Sequence, residues 1–104
     1  MCEFKVLNKH HLGYVVKCEI CENLHVVFGN LAFPIKETDF VNLYSVVEKE
    51  LKFRQDDKEL SARKIYLTIP GSSISMVFSI NELKAFSELL HESYIQNEIN
   101  NLIL

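Results

Sequence analysis

Cys18-Glu19-Ile20-Cys21 is the stretch of this chain with the clearest chemical content. Two thiolates two residues apart can share one tetrahedral zinc ion when the chain between them folds into a knuckle. A structural site needs four ligands. Two further candidates are Cys2, near the N-terminus, and His25, which follows Cys21 after three intervening residues. If the first two β-type runs pair as a hairpin, Cys2 arrives beside Cys18. The expected metal set is therefore Cys2, Cys18, Cys21 and His25, holding one structural zinc. His10 and His11 fall at the far end of that hairpin, about 15 Å away at ~3.3 Å per residue. A Cys-x-x-Cys without a second pair is a weak signal. The competing reading is three reduced cysteines acting as small apolar side chains, with His25 on a strand surface. A thioredoxin-like redox role fits poorly, because such pairs open a helix beside a βαβ unit, whereas Cys18 ends a strand of a meander.

Other chemistry has no foothold in the spacing. The chain contains no P-loop, no glycine-rich dinucleotide fingerprint, no His-Glu-x-x-His and no nucleophile elbow. Ser72 and Ser73 follow Pro70-Gly71 and read as turn residues. His91 lies between Glu88 and Glu92 on a helical stretch, which suits a solvated pairing. No catalytic or cofactor-binding residue is assigned, and the reading leans away from an enzyme.

The elements that would position these residues follow from periodicity. Glu3–Leu7 and Tyr14–Cys18 alternate as strands around the polar stretch 8–13. The favoured register sets Phe4 against Val16, Val6 against Tyr14 and Glu3 against Lys17, pairing opposite charges. A slipped register would place Lys5 against Lys17. Leu24, Val26 and Phe28 share a face. Gly29-Asn30 suits a tight turn with positive φ at Gly29, and Leu31, Phe33 and Ile35 return. Pro34 lacks an amide donor and marks an edge strand. Thr38 is the expected N-cap of a helix with Asp39 in its first turn. Phe40, Leu43, Tyr44, Val47 and Leu51 form its buried stripe. The charged run over residues 52–62 reads as a solvated helix end and loop.

The same pattern then recurs. Residues 24–49 match residues 67–92 at an offset of 43 without a gap: Leu24 with Leu67, Val26 with Ile69, Phe33 with Met76, Leu43 with Phe86. In the second unit Ser79 and Glu82 have the spacing of a capping box, and Leu83, Phe86, Leu90 and Tyr94 form the stripe. The expected fold is α+β, one domain over residues 1–104. An N-terminal hairpin and two strand-strand-helix units build a mainly antiparallel sheet, with two helices packed on one face. The opposite face would carry His25, Val27, Ala32, Tyr66 and Thr68, and the N-terminal hairpin either extends the sheet or crosses that face.

Bulk properties bound the function classes. Hydrophobic residues are 48% and charged residues 24% of 104, the balance of an ordinary globular domain. Such a length buries enough core to fold without disulfide or metal. No apolar run approaches a membrane span and no signal segment is evident, so the expectation is cytoplasmic. Net charge is −3, with the eleven Lys and Arg residues scattered among acids, which argues against nucleic acid. Ile95, Ile99, Leu102, Ile103 and Leu104 form an apolar series interrupted by Asn97, Asn100 and Asn101, a weak helix on propensity. A symmetric partner chain is expected to bury it, the alternative being the chain's own sheet edge or N-terminal hairpin.

The string from Gly13 to Asn30 resembles an uncharacterised bacterial domain-of-unknown-function family. Similarity lies in the opening Met1-Cys2, Gly13-Tyr14 before Cys18-x-x-Cys21, the Phe28-Gly29-Asn30 turn, and Ile80-Asn81-Glu82-Leu83 followed by Leu89-Leu90. The resemblance implies a bacterial cytosolic protein and transfers no catalytic residue. The family's members do not all keep the cysteines, which weighs against an essential metal. The reading is a non-enzymatic interaction or regulatory module whose expected partner is a second copy of itself. One alternative is a zinc-stabilised adaptor. Another is a ligand binder or small enzyme using the sheet face opposite the helices, with a pocket around His25 and Tyr66.

Overall fold

The computed structural model of the protein describes residues 3–102. Six strands and two helices follow in the order β1 (Phe4–His10), β2 (Gly13–Cys18), β3 (Leu24–Phe28), β4 (Leu31–Ile35), α1 (Glu37–Phe53), β5 (Ile65–Thr68), β6 (Ser75–Phe78) and α2 (Ile80–Leu102). The α+β class holds, and all strand pairs are antiparallel. The strands divide into a four-stranded sheet, ordered β1-β2-β3-β4, and a separate two-stranded sheet, β5-β6. The N-terminal hairpin thus extends the first sheet, and Pro34 sits in its outermost strand, where a missing amide donor costs no ladder bond.

One buried cluster joins everything. Val26, Phe28 and Phe33 from the first sheet, Leu67, Met76 and Phe78 from the second, Leu43 and Val47 from α1, and Phe86 and Leu90 from α2 are all buried in it. Three aromatic rings make its centre: Phe86 lies 4.9 Å from Phe28 and 5.1 Å from Phe78. Alternation delivers these residues from the strands, and three- and four-residue spacing delivers them from the helices.

Three expectations are corrected. First, the hairpin adopts the slipped register: Phe4 stands opposite Cys18, Lys5 opposite Lys17 and Val6 opposite Val16, with a bulge between Val6 and Asn8. The like-charge pairing is tolerable because Lys17 turns toward the helices. Its Nζ lies 2.6 Å from Glu37 Oε1 and donates to Asn97 Oδ1 at 3.2 Å and Asn101 Oδ1 at 3.3 Å. The bulge lets Leu7 reach the core. Both strands also run farther than expected, so only His11 and Leu12 form the turn.

Second, α1 begins at Glu37. Its N-cap is Lys36, with no side-chain capping bond, and Thr38 lies inside the first turn. Third, the two units do not share one gapless register. Leu24 pairs with Ile35 and Val26 with Phe33, whereas Ile65 pairs with Phe78 and Leu67 with Met76. Leu67 therefore occupies the place of Val26 rather than of Leu24. The second hairpin turns through Pro70-Gly71-Ser72-Ser73, closed by the Ile69 amide donating to the Ile74 carbonyl at 2.8 Å, two residues longer than Gly29-Asn30. The asparagine-rich C-terminal stretch, a weak helix on propensity, is helical as far as Leu102. Ile103 and Leu104 lie outside the described residues.

Candidate functional site

The cysteine corner comes first. Cys18 ends β2 fully buried. The chain then turns, with Glu22 at φ 63, and the Cys21 amide lies 3.4 Å from Cys18 Sγ, which accepts its hydrogen bond. Cys21 is exposed. His25 lies on β3 between Val16 and Pro34, and its ring meets Phe4 edge-on at 5.1 Å. Among the described residues no group of three or more His, Cys, Asp or Glu is arranged to hold a metal ion, so Cys18, Cys21 and His25 are not brought together as such a group. Cys2 lies outside the described residues. His25 and Tyr66 belong to different sheets.

Polar side chains cluster elsewhere. His10 Nδ1 accepts from the Leu12 amide at 3.2 Å, leaving Nε2 3.6 Å from Glu88 Oε2. Tyr44 on α1 shares a short hydrogen bond with His91 Nδ1 on α2 and stacks on Tyr94 at 5.3 Å. Burial pushes the Tyr44 hydroxyl pKa up, and the Glu48 charge adds to the rise. These contacts tie helices to each other and to the hairpin tip. They set α1 and α2 antiparallel, since Tyr44 meets His91 and Tyr94 while Glu48 meets Ser87. None of them converges on a nucleophile.

Besides Tyr66 and Val77 on the two-stranded sheet, which are 74% and 39% exposed, two further surfaces carry exposed apolar side chains. The first is the outer side of the four-stranded sheet. Strand register groups Phe4, Val6 and Lys9 of β1 with Tyr14 and Val16 of β2. Across β2 and β3 it adds His25 and Val27, and across β3 and β4 Ala32 and Pro34. Phe4, Val6 and Tyr14 are 55%, 48% and 43% exposed. These outward positions hold one lysine, one histidine and no carboxylate. The helices lie on the other side, where Lys17 reaches Glu37 and Asn97.

The second surface is the last three turns of α2. There the helix turns polar residues inward: Ser93 and Asn97 are buried, and the Ser93 hydroxyl has no hydrogen-bond partner. Ile95 and Ile99 each lie two positions on, about 200° around the helix, so they point away from the sheet. They are 43% and 47% exposed, and Leu102 is 85% exposed. Two acids, Glu92 and Glu98, are exposed on the same turns, and the last turn contains no basic residue.

The family profile that matches this chain spans residues 1–103. The chain belongs to DUF6686, a family of unknown function. The Gly-Tyr, Cys-x-x-Cys and Phe-Gly-Asn features therefore sit in a domain of this family that takes in nearly the whole chain. No curated protein and no solved structure matches it. No helix among the described residues is long and apolar enough to cross a membrane.

The sequence reading found the α2 stripe. It missed how apolar the outer sheet face is, because it assigned Phe4 and Val6 no face relative to His25 and Val27. A signal was available: Tyr14 and Val16 alternate with the buried Val15, so the hairpin's second face had to be apolar as well.

Proposed function

We propose that this DUF6686 member is a non-enzymatic interaction module that associates with a second copy of itself through the outward side of α2. The observation that carries the reading is the reversed polarity of that helix. A helix packed only on its own domain turns its apolar side inward. The last three turns of α2 instead bury Ser93 and Asn97 and expose Ile95, Ile99 and Leu102. Apolar groups so arranged mark a contact surface. Val41 of α1, 42% exposed, lies one turn from Tyr44 toward the α1 N-terminus. Ile95 lies one turn beyond His91 toward the α2 C-terminus. Because the helices are antiparallel, both residues border the same end of the helix layer.

Sedimentation equilibrium tests this. The full chain has a mass above the 12.1 kDa of one chain at high micromolar concentration. The Ile95→Glu/Ile99→Glu double variant sediments at the single-chain mass. A wild-type chain that stays monomeric throughout overturns the reading.

A further inference from the structure

We infer that the α2 stripe of one copy seats on the bare outer sheet face of the next copy, so that the chains stack head to tail. This rests on the self-association just described and names what the stripe meets. The two surfaces complement each other in kind. A sheet face is covered by helices in the layered packing this chain already uses on its inner side. Among the described residues no element covers Phe4, Val6 and Tyr14 on the outer face, and none lies against Ile95, Ile99 and Leu102 of the stripe.

Charge agrees. The outward sheet positions carry Lys9 and no acid, whereas the stripe is flanked by Glu92 and Glu98 with no cation in the last turn. A stripe-to-stripe pair would bring four carboxylates together. A face-to-face sheet pair would bring lysine toward lysine. Helix on sheet is the pairing that sets opposite charges against each other.

The edges of the four-stranded sheet do not compete for this role. Pro34 lies on one edge strand and the bulge at Leu7 on the other, two features that discourage strand addition.

Geometry sets the form of the assembly. The stripe points away from the sheet and the bare face lies beyond it, so the two contact surfaces are on opposite sides of the molecule. A heterologous contact of that kind leaves an open end on each added copy.

Two variants and their mixture decide the matter. Ile95→Glu/Ile99→Glu removes the stripe, and Val6→Glu/Tyr14→Glu removes the face. All four side chains are at least two-fifths exposed, and far-UV circular dichroism confirms that each variant is folded. If the face variant does not fold, Lys9→Glu replaces it and is read as weakened association. Each variant alone sediments as a single chain. Mixed in equal amounts they form a species of two chains and no larger, because one intact stripe meets one intact face. Wild-type mass rises past two chains with concentration, and added salt lowers it. If wild type is a closed dimer that only the stripe variant breaks, the head-to-tail contact is wrong while self-association stands. If wild type is monomeric, both fall.

Discussion

At the residue scale the start of α2 is the best-defined feature. The Glu82 amide donates to Ser79 Oγ at 3.1 Å, and the Ser79 amide donates to Glu82 Oε1 at 2.9 Å, the two halves of a capping box. Arg63 adds a forked pair of bonds, its Nη2 lying 2.7 Å from Glu82 Oε2. The Arg63 hydrogen bond is the main reason the Glu82 carboxyl is held at about 2. Ser79→Ala should cost about 0.5–2 kcal/mol, read as a denaturant midpoint that falls at constant m-value. The pH dependence has a definite sign. A carboxyl with a depressed folded pKa contributes stability that is present above its unfolded value, about 4.3, and is lost as pH falls toward 2. Between those limits wild type should lose stability that the Glu82→Gln variant, already weaker at neutral pH, does not lose. Parallel acid-denaturation curves for the two proteins would contradict the assignment.

At the element scale the hairpins are governed by close approach as much as by alternation. Gly13 is the first residue of β2 rather than part of a loop, and it pairs with Phe28. A Cβ at that position would overlap the Val27 carbonyl oxygen. The β1–β2 turn is held on the same spot, since the Gly29 amide donates to the Leu12 carbonyl at 2.8 Å. Gly13→Ala should therefore destabilise by about 1–3 kcal/mol, the usual cost of forcing atoms into a packed place. Amide exchange should speed up first in β2 and β3. Gly29→Ala makes a useful contrast: it meets no neighbour, and its cost comes from φ +61 alone. A Gly13→Ala protein as stable as wild type would mean that the two strands can part there without loss.

At the scale of the whole molecule a single core links two sheets that share no ladder. Leu43 and Phe86 are fully buried, one on each helix. Truncating either to Ala should cost about 2–5 kcal/mol. Because both hairpins lean on the same cluster, hydrogen exchange should rise in β3-β4 and in β5-β6 together. Loss confined to one hairpin would show two independent cores. Ile99→Glu, on the far side of α2, should leave the monomer's stability within about 0.5 kcal/mol while changing its assembly.

The sequence by itself determined the local features. The Ser79–Glu82 box, the Gly29-Asn30 turn and the stripes of Phe40-Leu43-Val47 and Leu83-Phe86-Leu90 each depend on residues within a turn or two of one another. Tertiary structure decided whatever depends on distant partners. Lys17 could face Lys5 only because Glu37, Asn97 and Asn101 receive it. No local rule announces those residues, so charge pairing alone favoured the wrong register. The four-residue turn after Ile69 reset the second hairpin, because loop length, not the apolar pattern, sets which residues stand opposite. The inward side of the α2 tail is the clearest case. Ile95 and Ile99 continue the apolar series in the sequence, which alone does not say what buries them, whereas α2 is already oriented by Leu83, Phe86 and Leu90. A rigid helix carries that orientation forward, so Ser93 and Asn97 go inside and the isoleucines are left on the surface.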